Sequence, residues 1–455
     1  SANKAPGDII WSEDFTGGIP TGWTTVDNTN NGYVWILNNL DISNNSSTPP
    51  GYTDNSAIAS NSGGNHMLIF GDEYNRVQLA NTGAATDMDS YFQTAGIALT
   101  GQAGVSVEFQ QKFRRCCANA GIGVNLVVST DPTFATNVGT YDINGGVATN
   151  MNSADPMDMS INITSIVGGY TGDFYMRFHL ATGSSHYYWM IDDLSIRPRP
   201  AYDLQMKSAW LTMENPTNIE YYSIPESQMP DEMLIGSEVY NYGFNDDGEV
   251  TLTGTIDGEG TGATITYELV ESDSTEYIET DYFDVSILAT GTYTFTADIA
   301  SSGDEVTPED NTLTREFVVS DNIYAIDGLY QSEEWMGTGW PGGDDTADGV
   351  RYANYFDIKQ NAVLSSISVL LDTDDHPTSL GTFQTEAGGE IIAYLCDTTG
   401  IFNPLVTTLD PDFGGALWTS DFYLVTEQDV SNNMIVIAVP EFDLTPNSYY
   451  VVIEM

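Results

Sequence analysis

Short runs in which apolar and polar side chains alternate recur along this chain, and they restrict it to strands. Val105-Ser106-Val107-Glu108-Phe109-Gln110-Gln111-Lys112-Phe113 is one such run. Val124 to Ser129 and Phe174 to Leu180 repeat the pattern, and Tyr187-Tyr188-Trp189-Met190-Ile191 leads into Asp192-Asp193-Leu194-Ser195-Ile196. A period of two buries one face of a sheet. Capped stretches of helical period are hard to find, and turns rich in Asn, Gly, Asp and Thr separate the runs. The expected class is all-β. A length of 455 residues exceeds one ordinary core, so several domains are expected.

Composition suggests where they divide. Arg197-Pro198-Arg199-Pro200 reads as a linker, because alternate prolines remove ladder donors and favour extended chain. Residues 1–198 then form the first module. Residues 199–320 have the strand cadence of an immunoglobulin-like sandwich, with runs such as Val250 to Ile256, Gly291 to Ile299 and Leu313 to Val319. Residues 321–455 form a third β-sandwich, with runs at Ala362 to Leu371, Gly389 to Cys396 and Met434 to Pro440. The last residues, Ser448 to Met455, are a strand pattern in which the sequence stops. Either a longer protein is cut there and the third sandwich truncated, or this strand is paired.

The charge excludes whole classes of partner. Twelve basic residues face 65 acidic ones, a net of −53. Nothing here can neutralise phosphates, so nucleic acid and bare anionic membrane surfaces are excluded. The first module carries −11, the second −22 and the third −20. Such a surface is either simply solvated and self-repelling or a partner for divalent cations.

Three cysteines, Cys116, Cys117 and Cys396, cannot build a disulfide framework. Adjacent Cys116 and Cys117 are free thiols or a strained local link. No stretch is long and apolar enough to span a membrane. The start at Ser1-Ala2-Asn3 reads as a site left after removal of a leader.

Several segments of the first module together resemble a known family. Trp11-Ser12-Glu13-Asp14-Phe15 with Ile19-Pro20-Thr21-Gly22-Trp23 matches an acidic-x-Phe…Pro-x-x-Trp start, and Tyr33-Val34-Trp35 follows. Asp89-Ser90-Tyr91-Phe92, Phe109 to Arg115 and Val127 to Asp131 match inner strands, and Trp189 to Ile196 matches the closing W-x-I-D-D-V-x-I. Residues 8–197 thus resemble the choice-of-anchor J, or cleaved-adhesin, domain of secreted Bacteroidota proteins, the group that includes gingipain haemagglutinin modules. The resemblance implies a MAM-like jelly roll, followed here by the two further sandwiches. It implies a secreted, extracellular or cell-surface location, and the second and third modules resemble companion sandwiches of flavobacterial surface proteins, which commonly leave the cell by type IX secretion.

The resemblance also implies a metal site. Pairing of the first and last strands would gather Glu13 and Asp14 with Asp192 and Asp193 around Ca²⁺. Clustered carboxylates raise one another's pKa unless a cation sits among them. The alternative is that one of each pair faces solvent, because strand neighbours alternate sides. Asp344 to Gly349 has an incomplete EF-loop spacing, and Asp27 to Gly32 replaces most of a family acidic run with amides. Asp372 to Asp375 and Asn245 to Gly248 read as hairpin turns.

No catalytic motif emerges. His66, His179, His186 and His376 sit in unrelated contexts, with no HExxH and no G-x-S-x-G. Tyr330, Trp335, Trp340 and Pro341 form either a sugar-stacking patch or a loop folded on its own core. The expected function is a non-catalytic, calcium-stabilised adhesin or structural ectodomain that contacts surface proteins or glycans. One alternative is a subunit of a self-assembling filament or sheath, joined through sheet edges. Another is a set of accessory modules from a larger secreted hydrolase.

Overall fold

A computed structural model describes residues 9–39, 56–74, 87–114, 123–149, 151–182, 187–213, 219–256, 261–326, 351–371, 376–378, 381–383, 385, 387–398 and 416–455. Cys116, Cys117, His186, Tyr330, Trp335, Trp340, Pro341 and the acidic runs 344–349 and 372–375 lie outside them.

The first module runs β1 (Trp11–Glu13), β2 (Thr24–Asp27), β3 (Ile36–Asn38), β4 (His66–Phe70), β5 (Met88–Gln93), β6 (Ile97–Thr100), β7 (Val105–Arg114), β8 (Gly123–Ser129), β9 (Val138–Asp142), β10 (Met157–Asn162), β11 (Thr171–Thr182) and β12 (Tyr188–Pro198). One sheet has the order β10-β7-β12-β4-β3, with β1 added beside β12. The other has the order β2-β5-β11-β8-β9, with β6 beside β11. Their inner faces enclose Phe15, Trp35, Phe92, Phe113, Phe178 and Trp189. Trp35 meets Phe92 and Trp189 edge-on at 4.9 Å each, and Phe92 stacks on Phe178 at 4.9 Å. Trp23 stacks on Phe92 at 5.7 Å, so the aromatic residues of the opening motif pack this core. β12 is buried on both faces, because Tyr188 and Met190 form an outer cluster with Ile58, Leu68 and Phe70.

The second module follows with β13 (Leu204–Met213), β14 (Ser223–Pro225), β15 (Glu232–Asn241), β16 (Asp247–Ile256), β17 (Thr261–Val270), β18 (Thr275–Glu279), β19 (Phe283–Asp284), β20 (Gly291–Ala300) and β21 (Thr312–Ser320). A sheet ordered β14-β21-β20-β16-β17 faces one built from β13-β15-β18 with β19. Leu204, Val239, Leu252, Phe295 and Phe317 lie between them. Asp247, expected in a hairpin turn, instead opens β16 and is 1 % exposed; its carboxylate accepts from Ser301 Oγ at 2.9 Å.

The third module contains β22 (Arg351–Ile358), β23 (Ala362–Leu370), β24 (His376–Thr378), β25 (Gly381–Phe383), β26 (Glu390–Asp397), β27 (Trp418–Thr419), β28 (Tyr423–Leu424), β29 (Met434–Leu444) and β30 (Asn447–Glu454). One sheet has the order β22-β30-β26-β27, and β23 pairs with β29. Ile367, Ala393, Val425, Ile435 and Val439 are buried together. The final strand β30 is paired on both sides, with β22 and with β26. The chain is all-β in tandem sandwiches.

The segment read as a linker is not loose. β12 runs through Pro198, which pairs with Val105, and Arg199 is 3 % exposed. Arg199 N donates to Gly104 O at 3.0 Å. Residues 321–326 touch both neighbours: Ala325 N donates to Ser223 O at 2.9 Å, while Tyr324 packs against the second core and against Ile358 and its neighbours in the third.

Candidate functional site

β1 and β12 pair antiparallel, with Trp11 opposite Ile196 and Glu13 opposite Leu194. This brings the ends carrying Glu13, Asp14, Asp192 and Asp193 to one corner of the first sandwich. Strand neighbours normally point to opposite faces. Here the ladder between β12 and β7 shifts register between Asp192 and Ser195, and Asp193 takes φ 50°. This bulge turns both aspartates to one loop. Ser60 Oγ donates to Asp192 Oδ2 at 2.5 Å and Ser62 Oγ to the same atom at 3.3 Å. Ser62 N donates to Asp193 Oδ2 at 3.0 Å. Gln110, opposite Asp192 on β7, accepts from Asn61 N at 2.7 Å and closes the loop onto the sheet.

Glu13 and Asp14 turn elsewhere. Glu13 Oε1 accepts from Phe15 N at 2.8 Å, while Asp14 Oδ1 accepts from Thr16 N at 3.0 Å and Thr16 Oγ1 at 2.7 Å. These bonds hold the turn in which buried Phe15 adopts φ 54°. Asn65 Nδ2 then donates to Phe15 O at 2.9 Å. Among the described residues, no group of three or more His, Cys, Asp or Glu side chains is gathered to hold a metal ion. The four carboxylates share one corner but, among the described residues, divide into two hydrogen-bonded sets. Glu13 and Asp14 serve their own turn, and the bulge commits Asp192 and Asp193 to the serine loop.

The four carboxyl groups differ electrostatically. Asp192 is fully buried, and burial pushes its pKa up to about 6, against the pull of its hydroxyl and N–H donors. Burial raises Glu13, and the neighbouring Asp14 charge adds to the effect. The Thr16 hydroxyl and N–H lower Asp14. Asp192 is thus a fully buried carboxyl group held, among the described residues, by neutral hydroxyl and N–H donors. Ser60, Ser62 and Asn65 carry no motif of their own, and sequence reasoning missed them. The Asp192 contact to Ser60 spans 132 residues.

The remaining expected groups are spread out. Asp27 accepts from Thr29 N at 2.9 Å and Gly32 N at 2.7 Å, as a turn carboxylate does. Buried His66 contacts Asn38 Nδ2 at 3.3 Å, and burial lowers its pKa. His179 Nε2 meets Asp89 Oδ1 at 2.7 Å. His376 lies on β24 in the third module.

Polar contacts join the modules: Arg199 N donates to Gly104 O at 3.0 Å and Tyr242 Oη to Glu108 Oε1 at 3.0 Å. The Arg199 side chain, 0 % exposed, bonds Asp273 and Tyr242 O, and its guanidinium lies 4.4 Å above the Tyr242 ring. At the other junction Tyr221 Oη donates to Tyr355 O at 3.1 Å, and Gln228 Oε1 accepts from Lys359 N at 2.9 Å. Tyr221, Tyr324 and Phe356 pack around that contact.

No family model matches the chain, and no curated protein matches it. Solved structures do. The K1 cleaved adhesin domain of Lys-gingipain from Porphyromonas gingivalis is 19% identical over 41% of this chain and 96% of its own, with a TM-score of 0.26. The K3 cleaved adhesin domain of the same protein is 16% identical over 41% of this chain and 98% of its own, with a TM-score of 0.25. A GH2 β-galacturonidase from Eisenbergiella tayi is 9% identical over 70% of this chain and 44% of its own, with a TM-score of 0.22. Among the described residues no helix is long and apolar enough to cross a membrane.

Proposed function

We propose that this chain is a non-catalytic, secreted cell-surface ectodomain that presents its sandwiches to surface proteins or glycans. The observation that carries this reading is the coupling of successive modules through polar contacts, Arg199 N to Gly104 O and Tyr242 to Glu108 at one junction and Tyr221 to Tyr355 O at the next. Such junctions hold binding faces at fixed spacing, which suits a presenting scaffold. The net charge of −53 fits a surface exposed to a saline exterior.

Calcium stabilisation of the first module belongs to the same proposal and rests on buried Asp192. The direct test is binding of the purified chain to glycan arrays and to bacterial surface proteins, with and without Ca²⁺. Saturable binding without turnover supports the reading. Hydrolysis of chromogenic glycosides by the purified chain would overturn it.

A filament subunit is the second reading. It draws on the β23–β29 ladder, whose outer face exposes Leu370, Met434 and Val436 by 55%, 36% and 49%. Electron microscopy across Ca²⁺ and salt concentrations separates the two, since monodisperse particles throughout exclude assembly.

A further inference from the structure

The second sandwich sets a buried carboxyl group, Asp203, against a half-buried one, Glu305, away from the corner at Asp192. Asp203, just before β13, is 1 % exposed. Its main-chain carbonyl accepts from Tyr242 N at 2.8 Å and Gly243 N at 3.2 Å, so its position is fixed. Glu305, between β20 and β21, forms a bridge with Tyr202, and each of its oxygens lies 3.1 Å from Leu204 N. The Glu305 carboxyl hydrogen-bonds the side chains of both Asp203 and Asn311. Asn311 is 5 % exposed, and its buried Oδ1 accepts no hydrogen bond.

Two carboxyl groups in contact, one of them buried, resist being ionised together unless something positive lies between them. A shared proton settles the pair but leaves the Asn311 oxygen unsatisfied, at a cost of about 1–3 kcal/mol. A buried water would satisfy that oxygen but would not offset the carboxylate charge. A hard divalent cation meets both needs in one shell. Carboxylates, an amide oxygen and main-chain or water oxygens are the ligands Ca²⁺ takes, and Ca²⁺ tolerates irregular geometry.

We propose that Asp203, Glu305 and Asn311 hold a Ca²⁺ ion in the second sandwich. The ion ties the entry of β13 to the loop before β21. It also firms the Tyr242 turn, which Asp203 holds from behind. Bound there, Ca²⁺ stiffens the end of the second module that meets the first.

The full chain, stripped with EGTA, is titrated with Ca²⁺ by calorimetry, and bound Ca²⁺ is counted by mass spectrometry after gel filtration. The expected wild-type result is a rise in melting temperature of about 5 °C at saturating Ca²⁺. Asp203→Asn and Asn311→Ala should each lose one bound ion per chain, or weaken it at least about tenfold. Asp192→Asn should leave this ion in place, so failure of the first-module calcium reading is seen separately. Should Asp203→Asn fail to fold, Asn311→Ala still reports. The proposal is overturned if both variants bind Ca²⁺ as the wild type does. It is equally overturned if pH shifts the melting temperature while Ca²⁺ does not, the signature of a shared proton alone.

Discussion

Tyr242 of the second sandwich donates its hydroxyl to Glu108 of the first at 3.0 Å, beneath the guanidinium of Arg199. Glu108 is also the partner of Arg197 at 2.8 Å. Both arginines of the proline-flanked segment thus work as a clamp, each gripping a carboxylate on a different module: Arg197 holds Glu108, and Arg199 holds Asp273. Charged hydrogen bonds at a partly buried junction resist bending in a way that a fully solvated linker does not.

Arg199→Ala is expected to loosen this junction. A fully buried pair loses about 3–5 kcal/mol when one partner is removed. Asp273 is 41% exposed, so solvent screening reduces the loss here to about 1–2 kcal/mol. The check combines denaturant unfolding with limited proteolysis around residue 200. Unchanged cleavage would show that the clamp does not couple the modules.

Trp189→Phe should cost about 2–3 kcal/mol in the first module. The indole is 1 % exposed, meets Trp35 at 4.9 Å, and donates to Gln111 Oε1 at 2.9 Å. Phenylalanine leaves both a gap and an unpaired buried amide oxygen. Trp189→Phe with Gln111→Leu should recover part of the loss, which a double-mutant cycle in urea measures.

The pH dependence of the first module should carry the signature of Asp192, whose pKa burial pushes up to about 6. An unfolded aspartate titrates near about 3.9, so between these values the folded state binds more protons. Its stabilising contribution is present in acid and is lost as pH rises through about 6. Asp192→Asn in EGTA should flatten that slope, read by hydrogen exchange along β12 between about pH 4 and about pH 7. An unchanged slope assigns the pH dependence to other groups.

Much of the strand order was legible because alternation survives in the sequence. Val105 to Phe113 became β7, Val124 to Ser129 lies in β8, and Gly291 to Ile299 lies in β20. β17 was missed although Ala263, Ile265 and Tyr267 alternate with Thr264, Thr266 and Glu268, because Ile265 is the one large aliphatic side chain between Thr261 and Glu268. The bulge at Asp192–Asp193 was not legible either, since it depends on register against β7. Arg199 read as linker because its neighbours are prolines, while its partners Gly104, Tyr242 and Asp273 lie far away in the chain. Sequence periodicity reports which face is buried. It does not report which distant loop supplies the polar partner.

Cys396 should resist alkylation in the native protein. It is fully buried on β26 beside β30, and burial, with the Asp397 charge, pushes its thiol pKa up to about 11. Little thiolate forms at neutral pH. Peptide mapping after iodoacetamide treatment, native against denatured, should show labelling of Cys396 only on unfolding. Rapid native labelling would mean that the β26–β30 ladder opens.

The pairing of β1 with β12 sets how the first module answers tension. Trp11 faces Ile196, so the chain enters and leaves this strand pair at the same end. In the third module Arg351 faces Glu454 in the same way. Antiparallel ladder bonds lie across the strands. A pull along the chain therefore loads them one after another, as in peeling tape, instead of shearing them together. Both modules should yield at low force and extend under load, letting the array lengthen before its junctions break.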